Sequence, residues 1–388
     1  MESIKKSLII IAIDILIFAL LYTFLPFERN ANIGICILIF VGILWITEAT
    51  HTAITALCVP FLAVIFGLEN TSSALKTFAD PVIFLFFGGF AIASALHIQA
   101  LDRFIANYLI YLAKGKMSLA IILLFCVTAL LSMWISNTAT AAIMLPLALG
   151  ILSNLKIDKD RNTFVFVLLG VAYSASIGGF GTLVGSPPNA IAAAYLQMNF
   201  FDWMKLGIPF MLIMLPSCII ILYLLLKPNL NTQFSIELEN TQWNHKKTIT
   251  LIIFALTALT WILSAKISSL LGGIDDLDTI IALACAIAIG VTKVATWKDI
   301  QNNTDWGVLW LFGGGLALSA ILKDSGASAV LANGVAQIFG NSHWLIIIIV
   351  VAFFIITLTE FTSNTASAAL LVPIFGVVGE PIGMPEHI

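Results

Sequence analysis

Charged residues are scarce in this 388-residue sequence, in which Asp, Glu, Lys and Arg together make up only 10%. A soluble domain carries about 25% of these residues, so much of the usual water-facing charge is missing. Apolar residues make up 60% of the chain. This composition excludes a disordered chain, a nucleic-acid-binding protein and an ordinary cytosolic enzyme. It indicates a polytopic membrane protein that lies in a lipid bilayer.

Paired cysteines are absent as well. The five Cys residues stand singly inside apolar runs, which excludes both a disulfide framework and a zinc site. The sequence also lacks the HExxH and GxSxG motifs and has no paired intramembrane aspartates. Because such patterns mark hydrolytic enzymes, we expect a protein that is not an enzyme.

Long apolar runs are what the sequence has in abundance. A helix needs about 20 apolar residues to cross a hydrocarbon core of about 30 Å. The polar segment 227–247 divides these runs into two halves. We predict membrane spans at 8–26, 33–49, 52–67, 81–97, 163–198, 207–226, 248–270, 279–292 and 307–322.

The distribution of Lys and Arg predicts a cytoplasmic N-terminus, since cytoplasmic loops hold the excess of basic residues. With this orientation, the inner segments hold thirteen of the eighteen basic residues. The absence of targeting features favours a bacterial inner membrane. The inner segments in this prediction are 1–7, 98–116, 151–162, 227–247 and 293–305.

The sequence contains an internal repeat. The motif Ser-Asn-Thr-Ala-Thr-Ala-Ala at 136–142 returns as Ser-Asn-Thr-Ala-Ser-Ala-Ala at 363–369, and each copy reaches a proline at the same distance, Pro146 and Pro373. Basic residues flank the first copy and are nearly absent around the second, which predicts that the two copies are inverted in the membrane. Inverted repeats are typical of secondary transporters, with the substrate site at the repeat interface.

Each motif lies inside an apolar stretch, at 117–152 or 343–379, that we predict to be a re-entrant hairpin. After the first motif only 14 residues remain, Ala139 to Leu152, which is about 21 Å of helix and too short for the bilayer core. The hairpin tips carry Ser, Asn and Thr, whose neutral groups offer oxygen acceptors to a cation and donors to an anion.

A second interruption is the segment Gly-Gly-Phe-Gly-Thr-Leu-Val-Gly-Ser-Pro-Pro-Asn at 178–189. Four glycines and two adjacent prolines are incompatible with an unbroken helix. We therefore predict that 163–198 consists of two half-helices joined by an unwound loop. Free carbonyl groups in such a loop suit Na⁺, and helix N-termini suit a carboxylate or sulfate.

A proton-driven carrier would instead be expected to have a buried carboxylate in its cavity. Glu48 and Glu360 lie near predicted helix ends and are interpreted as structural caps or interhelical partners. Asp14 lies inside the first predicted span, and the sequence assigns it no role. The neutral hairpin tips favour a cation and an oxyanion bound side by side.

At these motifs the chain resembles the divalent-anion/sodium symporter family, the carriers of dicarboxylates, citrate and sulfate. The resemblance covers nearly the whole chain. It implies an all-α, polytopic, inverted-repeat fold with two re-entrant hairpins and broken helices, a homodimer and an elevator mechanism. It divides the chain into scaffold helices of repeat 1 (1–116), a transport part of repeat 1 (117–226), a cytoplasmic linker (227–247), scaffold helices of repeat 2 (248–342) and a second hairpin (343–388).

The resemblance also assigns site residues. The second sodium site would use Thr362 through its backbone. Because the family has another broken helix after the second hairpin, the chain is expected to be C-terminally truncated. The assigned residues are Ser132, Ser136, Asn137 and Gly185 for the first sodium ion, Thr359, Thr362 and Asn364 for the second, and Asn137, Thr138, Ser186, Asn364 and Thr365 for the anion.

The function that follows is sodium-coupled symport of a small divalent anion, with C4-dicarboxylates such as succinate, malate and fumarate as the leading substrates. Sulfate or citrate is the alternative within the same family. A proton-coupled antiporter or anion exchanger on a related fold is the alternative mechanism, and a channel or membrane scaffold is a third possibility.

Overall fold

The computed structural model describes residues 2–232, 243–339, 344–360 and 362–379, and all regular secondary structure within them is helical. The first half of the chain forms α1 (Glu2–Phe24), α2 (Arg29–Thr47), α3 (Thr52–Ile65), α4 (Thr71–Lys76), α5 (Pro81–Ile98), α6 (Leu101–Tyr111), α7 (Met117–Ser132), α8 (Asn137–Ile151), α9 (Ile157–Gly179), α10 (Pro187–Tyr195) and α11 (Phe200–Leu226). The second half forms α12 (His245–Ile262), α13 (Ser264–Leu270), α14 (Leu277–Thr292), α15 (Trp297–Asn303), α16 (Trp306–Asp324), α17 (Ala327–Phe339), α18 (Trp344–Thr359) and α19 (Asn364–Gly379).

Six segments of the described chain are helical, long and apolar enough to cross a membrane. This finding confirms the prediction of a polytopic, all-α membrane protein. The spanning segments are Ile4–Phe24, Arg29–Thr47, Thr71–Ile98, Ile157–Gly179, Phe200–Leu226 and Trp306–Asp324.

The predicted span at 248–270 corresponds to two helices with a bend between them. Helices α12 and α13 together are apolar enough to span, but they are bent by 73° at Leu263. The polar residues Ser264 and Lys266 begin α13. A hydropathy average smooths over two polar residues in an apolar run, so it cannot show a change of direction.

Two other predicted spans, 52–67 and 279–292, correspond to short helices. Helices α3 and α14 contain 14 and 16 residues, about 21 and 24 Å, which is less than the thickness of the bilayer core. Helix α3 stops because Gly67 adopts a left-handed φ of 76°. The N–H groups of Gly67 and Leu68 then bond to carbonyl groups of the last helical turn, a C-terminal arrangement that glycine favours.

Short helices also occupy connecting segments for which the sequence predicted only cytoplasmic loops. Helix α6 lies within 98–116 and α15 lies within 293–305. Helix α15 begins with a capping box, in which Thr296 and Asp299 bond to each other's backbone N–H groups. Local capping signals of this kind are present in the sequence but are invisible to a search for apolar runs.

The order of the helices repeats along the chain. Helices α3 to α8 are followed by a second series, α14 to α19, whose first residues lie 225 to 227 positions later. The two Ser-Asn-Thr motifs occupy the same place in both series, at the start of α8 and of α19. The internal repeat predicted from the motifs therefore extends over six helices.

The chain forms two compact units. The first consists of 1–83, 194–197 and 305–388, and the second consists of 84–193 and 198–304. The first unit thus pairs α3 of one repeat with α16 of the other, and the second pairs α5 with α14. In the second unit, α7, α8, α9 and α11 share an apolar core in which Phe125 packs edge-on against Phe166.

The repeated Phe-Gly-Gly sequence lets these helix pairs approach closely. In the first unit, a Cβ atom on Gly314 would lie 2.5 Å from the Cβ atom of Ala56. In the second unit, a Cβ atom on Gly88 would lie 2.6 Å from the Cβ atom of Ala282. A shift of 226 residues converts Gly88 to Gly314 and Ala56 to Ala282. The same glycine-to-alanine contact is therefore made once in each unit. In the first unit repeat 2 supplies the glycine and repeat 1 the alanine, and in the second unit the roles are reversed.

We predict that Gly88→Ala and Gly314→Ala each lower the thermal unfolding temperature in lipid nanodiscs, because overpacking a close contact costs about 1–3 kcal/mol. Gly290→Ala in α14 is the matched control, since a Cβ atom there would meet no atom within 4 Å. The control should be neutral or slightly stabilising, as alanine favours helix formation. Equal effects of all three substitutions would contradict the close-packing explanation.

Candidate functional site

The first hairpin consists of α7 and α8, joined by the turn 133–136. Its arms contain 16 and 15 residues, about 24 and 23 Å, so neither is long enough to cross the bilayer core. Ser136 caps the second arm, because its hydroxyl oxygen accepts a hydrogen bond of 3.3 Å from the N–H of Ala139. Ser363 accepts similarly from Ala366 in the other copy. The serine of both motifs therefore serves as a helix cap.

The predicted break at 178–189 is present. Helix α9 ends at Gly179, a short 3₁₀ turn covers Leu183–Gly185, and α10 begins at Pro187. The side chain of Asn189 holds this loop in place. Its amide nitrogen donates to the carbonyl oxygens of Gly179 at 2.8 Å and Thr182 at 2.7 Å. The sequence prediction included Asn189 in the motif but gave it no role.

The unwound loop is tied to the hairpin turn by one hydrogen bond. The hydroxyl of Thr182 donates to the carbonyl oxygen of Met133, and both side chains are buried. Through this bond the loop and the hairpin turn lie against each other within the second unit. The two interruptions that the sequence predicted separately are therefore neighbours in space.

Oxygen atoms converge where the loop meets the hairpin. A Cβ atom on Gly185 would lie within 3.0 Å of three carbonyl oxygens, those of Ser132, Met133 and Gly179. A Cβ atom on Gly179 would collide with Oδ1 of Asn137. Both positions therefore require glycine, because any larger residue would displace backbone or side-chain oxygens.

Ser132 adds a further oxygen to this cluster. Its fully buried hydroxyl lies 2.7 Å from Oδ1 of Asn137 and 2.7 Å from the carbonyl oxygen of Ala175. One hydroxyl proton can serve only one of these two acceptors at a time. The cluster thus has more lone pairs than protons, and all of its oxygens are neutral. Such a set fits a hard cation such as Na⁺.

Three of the four residues assigned to the first sodium ion, namely Ser132, Asn137 and Gly185, thus lie together. Ser136 is exposed and caps α8. Of the residues assigned to the anion in this unit, Thr138 is exposed and Ser186 is half-buried. Because prolines follow Ser186 and lack N–H groups, its hydroxyl and its own N–H are the donors nearest the start of α10.

The second hairpin consists of α18 and α19 in the first unit, and Phe361 in its turn lies outside the described residues. The hydroxyls of Thr359, at the end of α18, and of Thr362, in the turn, donate to the carbonyl oxygens of Ile356 and Leu358 in α18. Thr362 also lies 2.7 Å from the hydroxyl of Ser367, a pair that the sequence did not predict. The assigned residues Asn364 and Thr365 are exposed and half-buried, respectively.

An aromatic cluster supports the turn of the first hairpin, and sequence reasoning missed it. The ring of Trp134 stacks on Phe200 at 6.2 Å and on Trp261 at 6.5 Å, and it meets Phe254 edge-on at 5.0 Å. Aromatic pairs at these separations attract each other beyond simple burial. Trp134 comes directly after Ser132 and Met133, whose carbonyl oxygens belong to the cluster. The neighbouring aromatic rings therefore restrict the backbone that carries these two carbonyl groups.

Asp278 anchors the aromatic cluster from the start of α14. Its carboxylate accepts a hydrogen bond of 2.7 Å from the N–H of Phe200, and its carbonyl oxygen accepts one of 2.9 Å from the indole N–H of Trp261. One residue therefore fixes two of the rings that hold Trp134. These residues are far apart in the sequence, and no local signal connects them.

Comparison with known proteins gives consistent results. The sequence pattern of the citrate transporter family matches residues 42–385. An uncharacterized transporter of Haemophilus influenzae is 57% identical over 388 residues, covering 98% of this chain and 84% of that protein. An uncharacterized transporter of Methanocaldococcus jannaschii is 40% identical over 358 residues, covering 92% and 80%. The sodium-dependent dicarboxylate transporter SdcS of Staphylococcus saprophyticus is 29% identical over 385 residues, covering 90% and 73%.

We predict that Gly185→Ala abolishes the rise in unfolding temperature that sodium causes, because the added methyl group would displace three carbonyl oxygens. Binding of a ligand to the folded state alone raises its stability, so the measurement needs no transport. Gly290→Ala should keep the full sodium effect. A normal sodium response from Gly185→Ala would show that the oxygen cluster is not a sodium site.

We also predict that Trp134→Ala raises the sodium concentration needed for half-maximal stabilisation about tenfold, whereas Trp134→Phe keeps most of the affinity. The phenyl ring can still stack on the neighbouring aromatic rings and restrict the turn. A loss of stability without a change in sodium affinity would mean that the aromatic cluster only supports the fold.

Proposed function

The chain belongs to the citrate transporter family, and we propose that it carries small divalent anions across the membrane together with sodium ions. The substrates that we propose are C4-dicarboxylates such as succinate, malate and fumarate. In this proposal the protein is a homodimer in a bacterial inner membrane, with a cytoplasmic N-terminus and a transport part that moves as an elevator.

The cluster of neutral oxygens around Gly185 carries the proposal. Its side-chain and carbonyl oxygens come from the hairpin turn and the unwound loop, and none of the contributing groups is ionised. A cation held there adds positive charge to a site without counter-charge. That charge would favour an anion bound next to it, which links the binding of the two ions.

Asn137 is the residue that would be shared by both ions. Its Oδ1 atom lies in the oxygen cluster, which leaves its amide N–H groups as donors for an anion. It also begins α8, so the free N–H groups of the first turn are close to its side chain. Anions are favoured at such helix N-termini. Asn137 can therefore contact sodium on one side and a carboxylate on the other.

The proposed sites follow from this arrangement and from the repeat. We assign the first sodium ion to the cluster, and the second to the equivalent tip of the other hairpin. The complete set is Ser132, Ser136, Asn137 and Gly185 for the first ion, Thr359, Thr362 and Asn364 for the second, and Asn137, Thr138, Ser186, Asn364 and Thr365 for the anion.

Relatives support this function at the level of the class. SdcS is named a sodium-dependent dicarboxylate transporter, and it is 29% identical to this chain. The description of the matching family names citrate instead, which favours citrate as the second candidate substrate. Neutral hydrogen-bond donors bind carboxylate groups and do not select for a particular spacing between them. A C4-dicarboxylate and citrate can therefore bind to the same residues.

The test is uptake of labelled succinate by proteoliposomes that contain the full chain. An inward sodium gradient should drive accumulation, whereas replacing sodium with potassium should abolish it. Unlabelled malate, fumarate, citrate and sulfate, added separately, then rank the substrates by competition. Accumulation driven by a proton gradient without sodium would contradict sodium symport and support the proton-coupled alternative.

In the same assay, we predict that Asn137→Ala weakens the apparent affinities for sodium and succinate together, each about tenfold. A hydrogen bond to a charged group contributes about 1.5–3 kcal/mol, and about 1.4 kcal/mol corresponds to a factor of ten. Asn303→Ala, at an exposed position on α15, is the control and should change neither. A loss of succinate affinity with unchanged sodium dependence would exclude a shared ligand.

A further inference from the structure

Helix α1 buries a single side chain between Ile4 and Phe24, and that side chain is also the only carboxylate of this segment. Between Ile4 and Phe24, every residue except Asp14 is at least partly exposed. Asp14 itself has no exposed surface. The helix therefore directs its apolar residues outward, where lipid surrounds a membrane protein, and turns its aspartate toward the protein.

Both carboxylate oxygens of Asp14 are buried without a hydrogen-bond partner among the residues that the structure describes. Burial of an isolated carboxylate in apolar surroundings is very costly unless a cation or several donors compensate for it. Two other buried carboxylates of the described chain have hydrogen-bond partners, although Oδ1 of Asp278 has none there and only its Oδ2 atom accepts a bond, from the N–H of Phe200. Asp102 accepts a bond from the N–H of Arg103 and lies 3.1 Å from the ring of His97.

The surroundings of Asp14 on its helix face are apolar. One turn further along the same face, Phe18 packs against Phe40 of α2 at 5.9 Å and against Phe66, just after α3, at 5.0 Å. Residues four apart lie on the same face of a helix. Asp14 therefore lies on the face of α1 that packs against these neighbours.

No charged or titratable group on the packed elements forms a hydrogen bond with Asp14 in the part of the chain that the structure describes. On α1 the nearest cation in sequence is Lys6, eight residues or about 12 Å away. The only cation of α2 is Arg29 at its first residue, beside the opposite end of α1. The other such groups are Glu2, Lys5 and Tyr22 of α1, Cys36 of α2 with Glu28 at its start and Glu48 at its end, and Cys58 of α3 with His51 at its start.

We propose that Asp14 is a proton-binding site, at which the carboxyl group carries a proton while α1 is packed against α2. The ligand is a proton because a buried, unpaired carboxyl group can become neutral by protonation without any partner. The site lies in the first compact unit, whereas the oxygen cluster around Gly185 lies in the second. The proposal does not depend on sodium-coupled transport.

Protonation of Asp14 links the stability of the protein to pH. The folded protein holds this proton, whereas an aspartate in water loses it near pH 4. Between about pH 4 and the pH at which the folded protein releases this proton, the folded state binds more protons than the unfolded state. Raising the pH across this range therefore lowers the stability of the folded state.

Labelling with dicyclohexylcarbodiimide tests the proposal on the full chain in lipid nanodiscs. This apolar reagent adds to protonated carboxyl groups in apolar surroundings, and mass spectrometry of the peptide that contains residue 14 measures the adduct. We expect an adduct on Asp14 whose rate of formation falls at least fivefold from pH 6 to pH 9. No adduct at pH 6, or a rate that does not change with pH, would overturn the proposal.

Asp14→Asn is the matched variant, since the amide resembles the neutral acid in shape and polarity. Because the amide does not titrate, the variant should unfold at a higher temperature than the original protein, and the difference between the two should grow from pH 6 to pH 9. Equal pH dependence of the two proteins would overturn the proposal. Because labelling is measured on the original protein, the proposal can be tested even if the variant folds poorly.

Discussion

Backbone groups inside a membrane need hydrogen-bond partners, and this requirement governs the arrangement around the broken helix. No water is present in the hydrocarbon core to satisfy them, yet α9 stops at Gly179 and α10 begins only at Pro187. The side-chain amide of Asn189 bonds to two of the freed carbonyl oxygens, and Thr182 bonds to the hairpin turn. The loop is therefore held by a small number of specific contacts.

The same contacts produce the chemical character of the site. Because the loop is pressed against the hairpin turn, carbonyl oxygens of both segments surround Gly185. Donors are fewer than acceptors there, as the single hydroxyl proton between Ser132, Asn137 and Ala175 illustrates. An unwound backbone whose polar groups bond to nearby segments thus brings several neutral oxygen atoms together without any ionised side chain.

The two repeats do not fold as two separate bodies. Each compact unit pairs a helix of one repeat with a helix of the other, and the glycine-to-alanine contact recurs in both units with the repeats exchanged. In lipid, close approach of small residues replaces much of the hydrophobic effect that holds soluble helices together. The division into scaffold and transport parts stays a prediction, since the compact units group helices by packing and not by movement.

The sequence by itself determined the features that depend on local chemistry. Apolar runs, the duplicated motif and the Gly- and Pro-rich segment predicted a helical membrane protein with two short-armed hairpins and a broken helix, because these patterns limit the backbone wherever they occur. The resemblance to a symporter family assigned Asn137 and Gly185 to a sodium site; that assignment stays a prediction, and the structure places both residues next to Ser132. The bend at Leu263 was missed, since an apolar run carries no information about direction.

Only the tertiary structure decided which distant residues meet. The rings around Trp134 come from segments more than sixty residues further along the chain and share no pattern with it. Likewise, the position of Asp14 in the first span could not indicate whether its carboxyl group faces lipid or protein. Burial depends on which neighbouring helix covers a face, and the packing of α1 against α2 determines it.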